Sequence, residues 1–265
     1  MAANGKAALV TGAGKNIGRA CVLGLAEDGF NVAINGSSDR AACEKVAKEA
    51  ATFGVKAIVV MGDVGRPEEC RRIADEAIKA FGAVDALLNN AALRPNKPFL
   101  EMSDSDWQRV IDVDMNAAVW LSRACLPGMV SKGWGRIVNF AGMNAIHGHA
   151  GRAPVSVAKH GVWGLTKALA MEFGPKGVTT NTISPGPIAP DTEEKNASAQ
   201  ARAQTLARVP LGRFGKPVEV AAAARLLVSD AGGYINGQMI QVNGGASSRS
   251  ISTPRYGCRG PACPA

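Results

Sequence analysis

The chain has 265 residues, 46% of them hydrophobic, 5% aromatic and 20% charged, with a formal net charge of +8. That apolar content supports a packed core and excludes a disordered chain. Apolar runs such as residues 57–61 are too short to cross a bilayer, and the basic residues are scattered among acids, which argues against both a membrane and a nucleic-acid partner.

Short β-rich runs alternate with helical patterns. Strands are predicted over residues 7–10, 31–34, 57–61, 86–88, 136–140, 179–183 and 239–242. Between them, apolar residues at three-to-four spacing predict helices over 17–28, 40–53, 67–81, 104–126, 155–173 and 217–229. Pro67 suits a first helical turn, and Ser103 with Asp106 makes a capping box for the helix opening at 104. From Pro185 to about Ala203 the rhythm breaks into Pro, Asp, Thr, Asn and Ser, the composition of a mobile active-site loop. The alternation predicts an α/β fold: a Rossmann-like, doubly wound parallel sheet of about seven strands. Residues 1–245 form a single nucleotide-binding domain in this reading. Residues 246–265 are a tail, disordered or packed on a partner subunit.

Cys21, Cys43, Cys70 and Cys125 are dispersed among apolar neighbours, as buried thiols in a reducing compartment are. Cys258 and Cys263 have no second Cys/His pair, so no metal site is expected. The N-terminus shows no charged segment followed by an apolar run, and a cytoplasmic protein is expected.

The first strand runs into Thr11-Gly12-Ala13-Gly14-Lys15-Asn16-Ile17-Gly18 and then a helix. Glycines let the backbone turn sharply against a pyrophosphate, and the helix N-terminus supplies N–H donors. Asn16 stands where a middle glycine is usual, and Asn tolerates a left-handed conformation. Further motifs follow in order: Gly62-Asp63-Val64, Asn89-Asn90-Ala91-Ala92, Gly135-Arg136-Ile137-Val138-Asn139, Pro185-Gly186-Pro187-Ile188, Pro210-Leu211-Gly212-Arg213-Phe214-Gly215 and Val242-Asn243-Gly244-Gly245. Through these motifs the chain resembles the short-chain dehydrogenase/reductase family over residues ~5–245.

The resemblance implies a nicotinamide cofactor, bound by Gly12, Gly14, Lys15, Asn16, Ile17 and Gly18 at the phosphates. It implies that Asp63 and Val64 hold the adenine, that Asn89 and Ala91 flank the ribose, and that Pro185, Gly186 and Ile188 approach the nicotinamide. An acid ending the second strand would bind the ribose hydroxyls of NAD, yet Asn35-Gly36-Ser37-Ser38 stands there. Lys15, Ser37 and Ser38 instead suit a 2′-phosphate, so NADP is expected over NAD.

At the chemical end the pattern changes. The family uses a Tyr with a Lys four residues later, a Ser on the preceding loop and an Asn on the long helix. Here Lys159 is kept, but Val155 takes the Tyr position, Gly142 the Ser position and Asp114 the Asn position. Pro190 falls where the family often has a Thr. The ordinary proton relay is therefore excluded. An Asp114–Lys159 approach would give either a structural ion pair or a catalytic one.

Gly142, Asn144, His149 and Val155 are expected to line the substrate pocket. His147 or His149 is a candidate replacement acid. The chain has two tyrosines, Tyr234 and Tyr256. Tyr234 matches a position remote from the chemistry. Tyr256 would act only if the tail entered a neighbouring site. Lys159, Asp114, His147 and Tyr256 are the candidate catalytic residues.

Three readings stay open: an oxidoreductase of a carbonyl, imine or activated alkene with a non-standard proton source; a cofactor-binding homologue without catalysis; and a non-redox isomerase, cyclase or lyase. The resemblance implies a small-molecule substrate and a homo-oligomer, dimer or tetramer, paired through the two long helices.

Overall fold

The computed structural model describes residues 5–190 and 199–246. The tail readings, Tyr256 among them, lie outside these residues. Seven strands form one parallel sheet: β1 Ala7–Val10, β2 Asn31–Gly36, β3 Ala57–Met61, β4 Ala86–Asn89, β5 Gly135–Phe140, β6 Val178–Pro185 and β7 Met239–Val242. Their spatial order is β3-β2-β1-β4-β5-β6-β7. The order reverses at β1, so the crevice above the β1 and β4 C-termini is the expected ligand site of a doubly wound sheet.

Alternation within each strand builds two cores. In β1, Ala8 and Val10 face one layer with Cys21, Val22 and Leu25, while Leu9 faces the other with Ile73, Leu87 and Leu121. Each fully buried Leu or Val contributes about 1.5–3 kcal/mol relative to exposure. The first layer contains α1 Asn16–Glu27, α2 Arg40–Ala51 and α9 Pro217–Val228; the second contains α3 Pro67–Phe81 and α5 Ala117–Ser131.

The expected helix over 104–126 is not continuous. It divides into α4 Asp104–Ile111, a π turn Asp112–Asn116, and α5. A π turn closes i→i+5 hydrogen bonds and so holds an extra residue without ending the helix. The predicted capping box is present, Ser103 Oγ accepting from Asp106 N–H and Asp106 from Ser103 N–H. Two further helices fall in stretches expected to be loops, α6 Asn144–His147 and α8 Ala199–Leu206, with the 21-residue α7 Ala153–Phe173 between them. No helix among the described residues is long and apolar enough to cross a membrane.

Candidate active site

The β1–α1 turn is held by side chains from β4 as well as by its own glycines. Thr11 Oγ1 accepts from the N–H groups of Asn90 and Ala91, both at 3.0 Å. Asn90 Nδ2 donates back to Thr11 O (2.9 Å) and Gly12 O (3.0 Å). Sequence reasoning assigned Asn89 and Ala91 to the ribose and missed Asn90 as the brace. Its signal was the paired asparagine at a strand end. Asn16 has φ 52°, the left-handed conformation its side chain tolerates. A methyl on Gly18 would lie 2.3 Å from Gly12 O, so two backbones meet there with no space for a side chain.

The rest of the cofactor set surrounds this turn. Asn35 is buried and donates to Val60 O (3.0 Å) and Gly62 O (3.1 Å), which fixes the ends of β2 and β3. Ser37, Ser38 and Lys15 are exposed beside them. Asp39, the first acid after β2, caps α2 by accepting from Ala42 N–H at 2.9 Å. Burial pushes Asp63 up, but hydrogen bonds from Arg109 and the Gly65 N–H more than offset it and hold the carboxyl below its ordinary range. Val64 is buried next to it. Gly186 N–H donates to Val242 O (3.0 Å), and Ile188 bridges to Gly215, pinning the segment expected at the nicotinamide.

A buried polar chain crosses the sheet behind the site. Asn89 Nδ2 donates to Asn139 Oδ1 (2.8 Å), Asn139 Nδ2 to Thr166 Oγ1 (2.9 Å), and Thr166 meets Thr182 at 2.7 Å. Asn89 Oδ1 is left buried without a donor. Thr11, Asn89, Asp114 and Phe140 wall a cavity of about 10 Å³, space for about one water molecule. An open glycine turn and an unfilled acceptor fit a dinucleotide with its ribose against β4. The described residues hold no cluster of His, Cys, Asp and Glu suited to a metal ion.

At the chemical end the structure brings Lys159 and Asp114 together. Lys159 Nζ lies 3.1 Å from Asp114 Oδ2, with side chains 3% and 0% exposed. Asp114 stands on the π turn, and its Oδ1 accepts from Leu93 N–H at 2.6 Å. Burial pushes the Lys159 ammonium below its ordinary lysine value; the Asp114 charge opposes this and the nearby Arg94 adds to it. The pair is thus a desolvated proton donor and acceptor in contact.

Val155 is 1% exposed, in the first turn of α7, and supplies only hydrocarbon. Gly142 has φ +111°, a conformation side-chain-bearing residues rarely adopt. His147 is exposed at the end of α6, and His149 is exposed with its Nδ1 at 2.7 Å from Ala150 O. Neither contacts the buried pair through a hydrogen bond or ion pair. Asn144 opens α6. Tyr234 is fully exposed, and Pro190 follows the pinned segment.

Residues 12–247 match a family model described as enoyl-(acyl carrier protein) reductase. The chain belongs to the short-chain dehydrogenase/reductase family. It is 35% identical over 240 residues to 3-oxoacyl-acyl-carrier-protein reductase of Staphylococcus aureus, covering 91% of this chain and 97% of that one. Among solved structures it resembles a proposed NAD(P)-dependent gluconate 5-dehydrogenase of Beutenbergia cavernae with NADP bound at low occupancy. That likeness has a TM-score of 0.86 and 37% identity, covering 93% of this chain and 98% of the other. Acetoin dehydrogenase of Salmonella typhimurium gives a TM-score of 0.86 at 30% identity, covering 94% and 98%. In this chain Lys159 faces a carboxylate across 3.1 Å, and Val155 stands four residues before it on the same helix.

Proposed function

We propose that this chain is an NADP-dependent oxidoreductase acting on a small carbonyl, imine or activated alkene, with Lys159 and Asp114 handling the proton in place of a phenol. The buried Lys159–Asp114 contact beside an intact nucleotide turn carries this reading. When bound, NADP(H) supplies the hydride. Lys159 Nζ gives a proton to the substrate atom in reduction and takes one back in oxidation. Asp114 Oδ2 holds the ammonium in place during this exchange, and Leu93 N–H fixes the carboxylate. The apolar wall at Val155 excludes water. The exposed positions of His147 and His149 favour Lys159 over either imidazole.

The test is NADPH oxidation against a panel of ketones, aldehydes, cyclic imines and enones. Turnover of at least one class is expected, with loss of about 10²–10⁴ in rate in Lys159→Met. Saturable NADPH binding without turnover of any class would instead support a cofactor-binding homologue. Product formed with NADPH unconsumed would support the isomerase reading.

NADP is preferred over NAD in this reading because Asp39 is engaged as the α2 cap and Ser37 and Ser38 stand free at the strand end. Ser37→Asp is expected to shift the NADPH/NADH ratio of kcat/KM toward NADH by about tenfold or more, since a carboxylate there repels a 2′-phosphate. An unchanged ratio would remove the NADP assignment.

A homo-oligomer, dimer or tetramer, completes the proposal. The outer stripe of α7 leaves Val157 48% and Met171 80% exposed, and Gly164 between them meets nothing within 4 Å. The buried free cysteines at 21, 43, 70 and 125 accord with a cytoplasmic setting. Tyr256, outside the described residues, stays a candidate only through the neighbouring subunit.

A further inference from the structure

Two cations beside the site make no hydrogen bond or ion pair with the Lys159–Asp114 pair. Arg94 follows Leu93, whose N–H is bound by Asp114, and Arg152 ends the loop before α7. Their loops are fastened to each other: Lys97 N–H donates to Gly151 O at 2.9 Å, and a methyl on Gly151 would come 2.3 Å from Asn96 Oδ1. Lys97 is itself anchored to Asp106, Nζ to Oδ2 at 2.6 Å.

Neither arginine has an ion-pair partner or a side-chain hydrogen bond among the described residues, and Arg152 Nε is buried without an acceptor. Arg72, Arg109, Arg213 and Arg225 each hold a carboxylate, whereas Arg66, Arg71, Arg123 and Arg208 are exposed and unpaired among the described residues, as Arg94 is; Arg152 differs from these in having its Nε buried. A guanidinium presents five donors, and the desolvated Nε of Arg152, left unfilled, is costly, while the exposed Arg94 adds its charge from the solvent side. The α7 N-terminus beside Arg152 has no side-chain cap and no acid in its first turn, so its dipole adds to the same positive field.

The geometry points to an anion subsite formed by Arg94 and Arg152, which takes the carboxylate or phosphate of an organic anion whose reacting carbon lies beside Val155. Arg152 precedes Val155 by three residues, about one helical turn or ~5 Å along the axis, so the anionic group and the reacting carbon are a few bonds apart. The position of that carbon rests on the oxidoreductase reading; the subsite itself is read by binding.

Calorimetric titration of the full chain, with and without saturating NADPH, tests it using matched pairs. These are gluconate with glucitol, acetoacetate with methyl acetoacetate, and dihydroxyacetone phosphate with dihydroxyacetone. At least one anion is expected to bind about tenfold or more tighter than its neutral partner, and which pair discriminates separates carboxylate from phosphate. Arg152→Met should remove that difference, Arg94→Met should reduce it, and Arg152→Lys should keep part of it. Arg71→Met, an exposed position on α3, should leave it unchanged. Equal affinities within every pair, or discrimination that survives in the Arg94→Met/Arg152→Met double variant, would overturn the subsite. NADPH oxidation with the acetoacetate and dihydroxyacetone pairs, and NADP+ reduction with gluconate and glucitol, separate the two readings. Discriminating binding without turnover keeps the subsite and removes the oxidoreductase, whereas turnover of neutral partners without discrimination does the reverse.

Discussion

Asp114→Asn is expected to move the alkaline limb of NADPH-dependent reduction to lower pH by about one to three units, the effect of an opposite charge at close range. Reduction needs Lys159 protonated, so the rate falls as pH rises through the Lys159 pKa. Burial already depresses that pKa, and the Asp114 charge is the contribution that raises it. A carboxamide keeps the shape and the acceptor for Leu93 N–H at Oδ1, but removes the charge 3.1 Å from Nζ. Burial and Arg94 then act unopposed, and Lys159 loses its proton earlier.

A pH profile of kcat/KM checks this, with a melting curve to report fold. Breaking one side of a buried pair costs about 3–5 kcal/mol when the other charge is retained, so some loss of Tm is expected, reduced if Lys159 becomes neutral. The variant also separates mechanisms, because Asn is the residue the family resemblance places there. A more active Asp114→Asn enzyme, or an unmoved profile, would refute the paired role.

Gly18→Ala is expected to weaken NADPH binding by about one to two orders of magnitude while the sheet stays folded. The added methyl would sit 2.3 Å from Gly12 O and 2.7 Å from Asn90 Nδ2. Those atoms are joined in the brace that sets the turn, so relieving the clash displaces backbone that must face the pyrophosphate. Overpacking of this kind costs about 1–3 kcal/mol, and each 1.4 kcal/mol of misplaced binding is tenfold in Kd. Gly14→Ala is the control: its methyl would meet Cys43 Sγ at 3.3 Å and Ala42 Cβ at 3.4 Å, side chains able to give slightly. Calorimetry of NADPH with both variants decides. Similar affinities for the two would show that the close approach at Gly18 does not shape the site.

Most strands were legible as short apolar or β-branched runs bounded by polar turns, and β6, rich in threonine, was legible through its β-branched residues. The π turn was not legible: an inserted residue in a helix leaves apolar residues at nearly the same spacing on both sides. α6 has four residues, too few for a period, and α8 is Ala/Gln/Arg-rich with no apolar stripe. At the site, the charges at two motif positions raised an Asp114–Lys159 approach as a condition, and the 3.1 Å contact meets it. The buried, unfilled Nε of Arg152 was not legible, because it depends on how the loop before α7 folds against residues 94–97.

The three positions where the resemblance implies Asn, Tyr and Ser differ in how their backbones would take those residues. Asp114 and Val155 occupy helical backbone that asks for no special torsion angle, although Val155 is 1% exposed and a larger side chain there would need its neighbours to move. Gly142 is different. Its φ of +111° commits the chain between β5 and α6 to a path that serine would resist. Space is not the obstacle, since a methyl there would meet only Pro185 O at 3.9 Å. An engineer wishing to reinstall the phenol relay would have to reshape the peptide planes around residue 142 before exchanging any functional group.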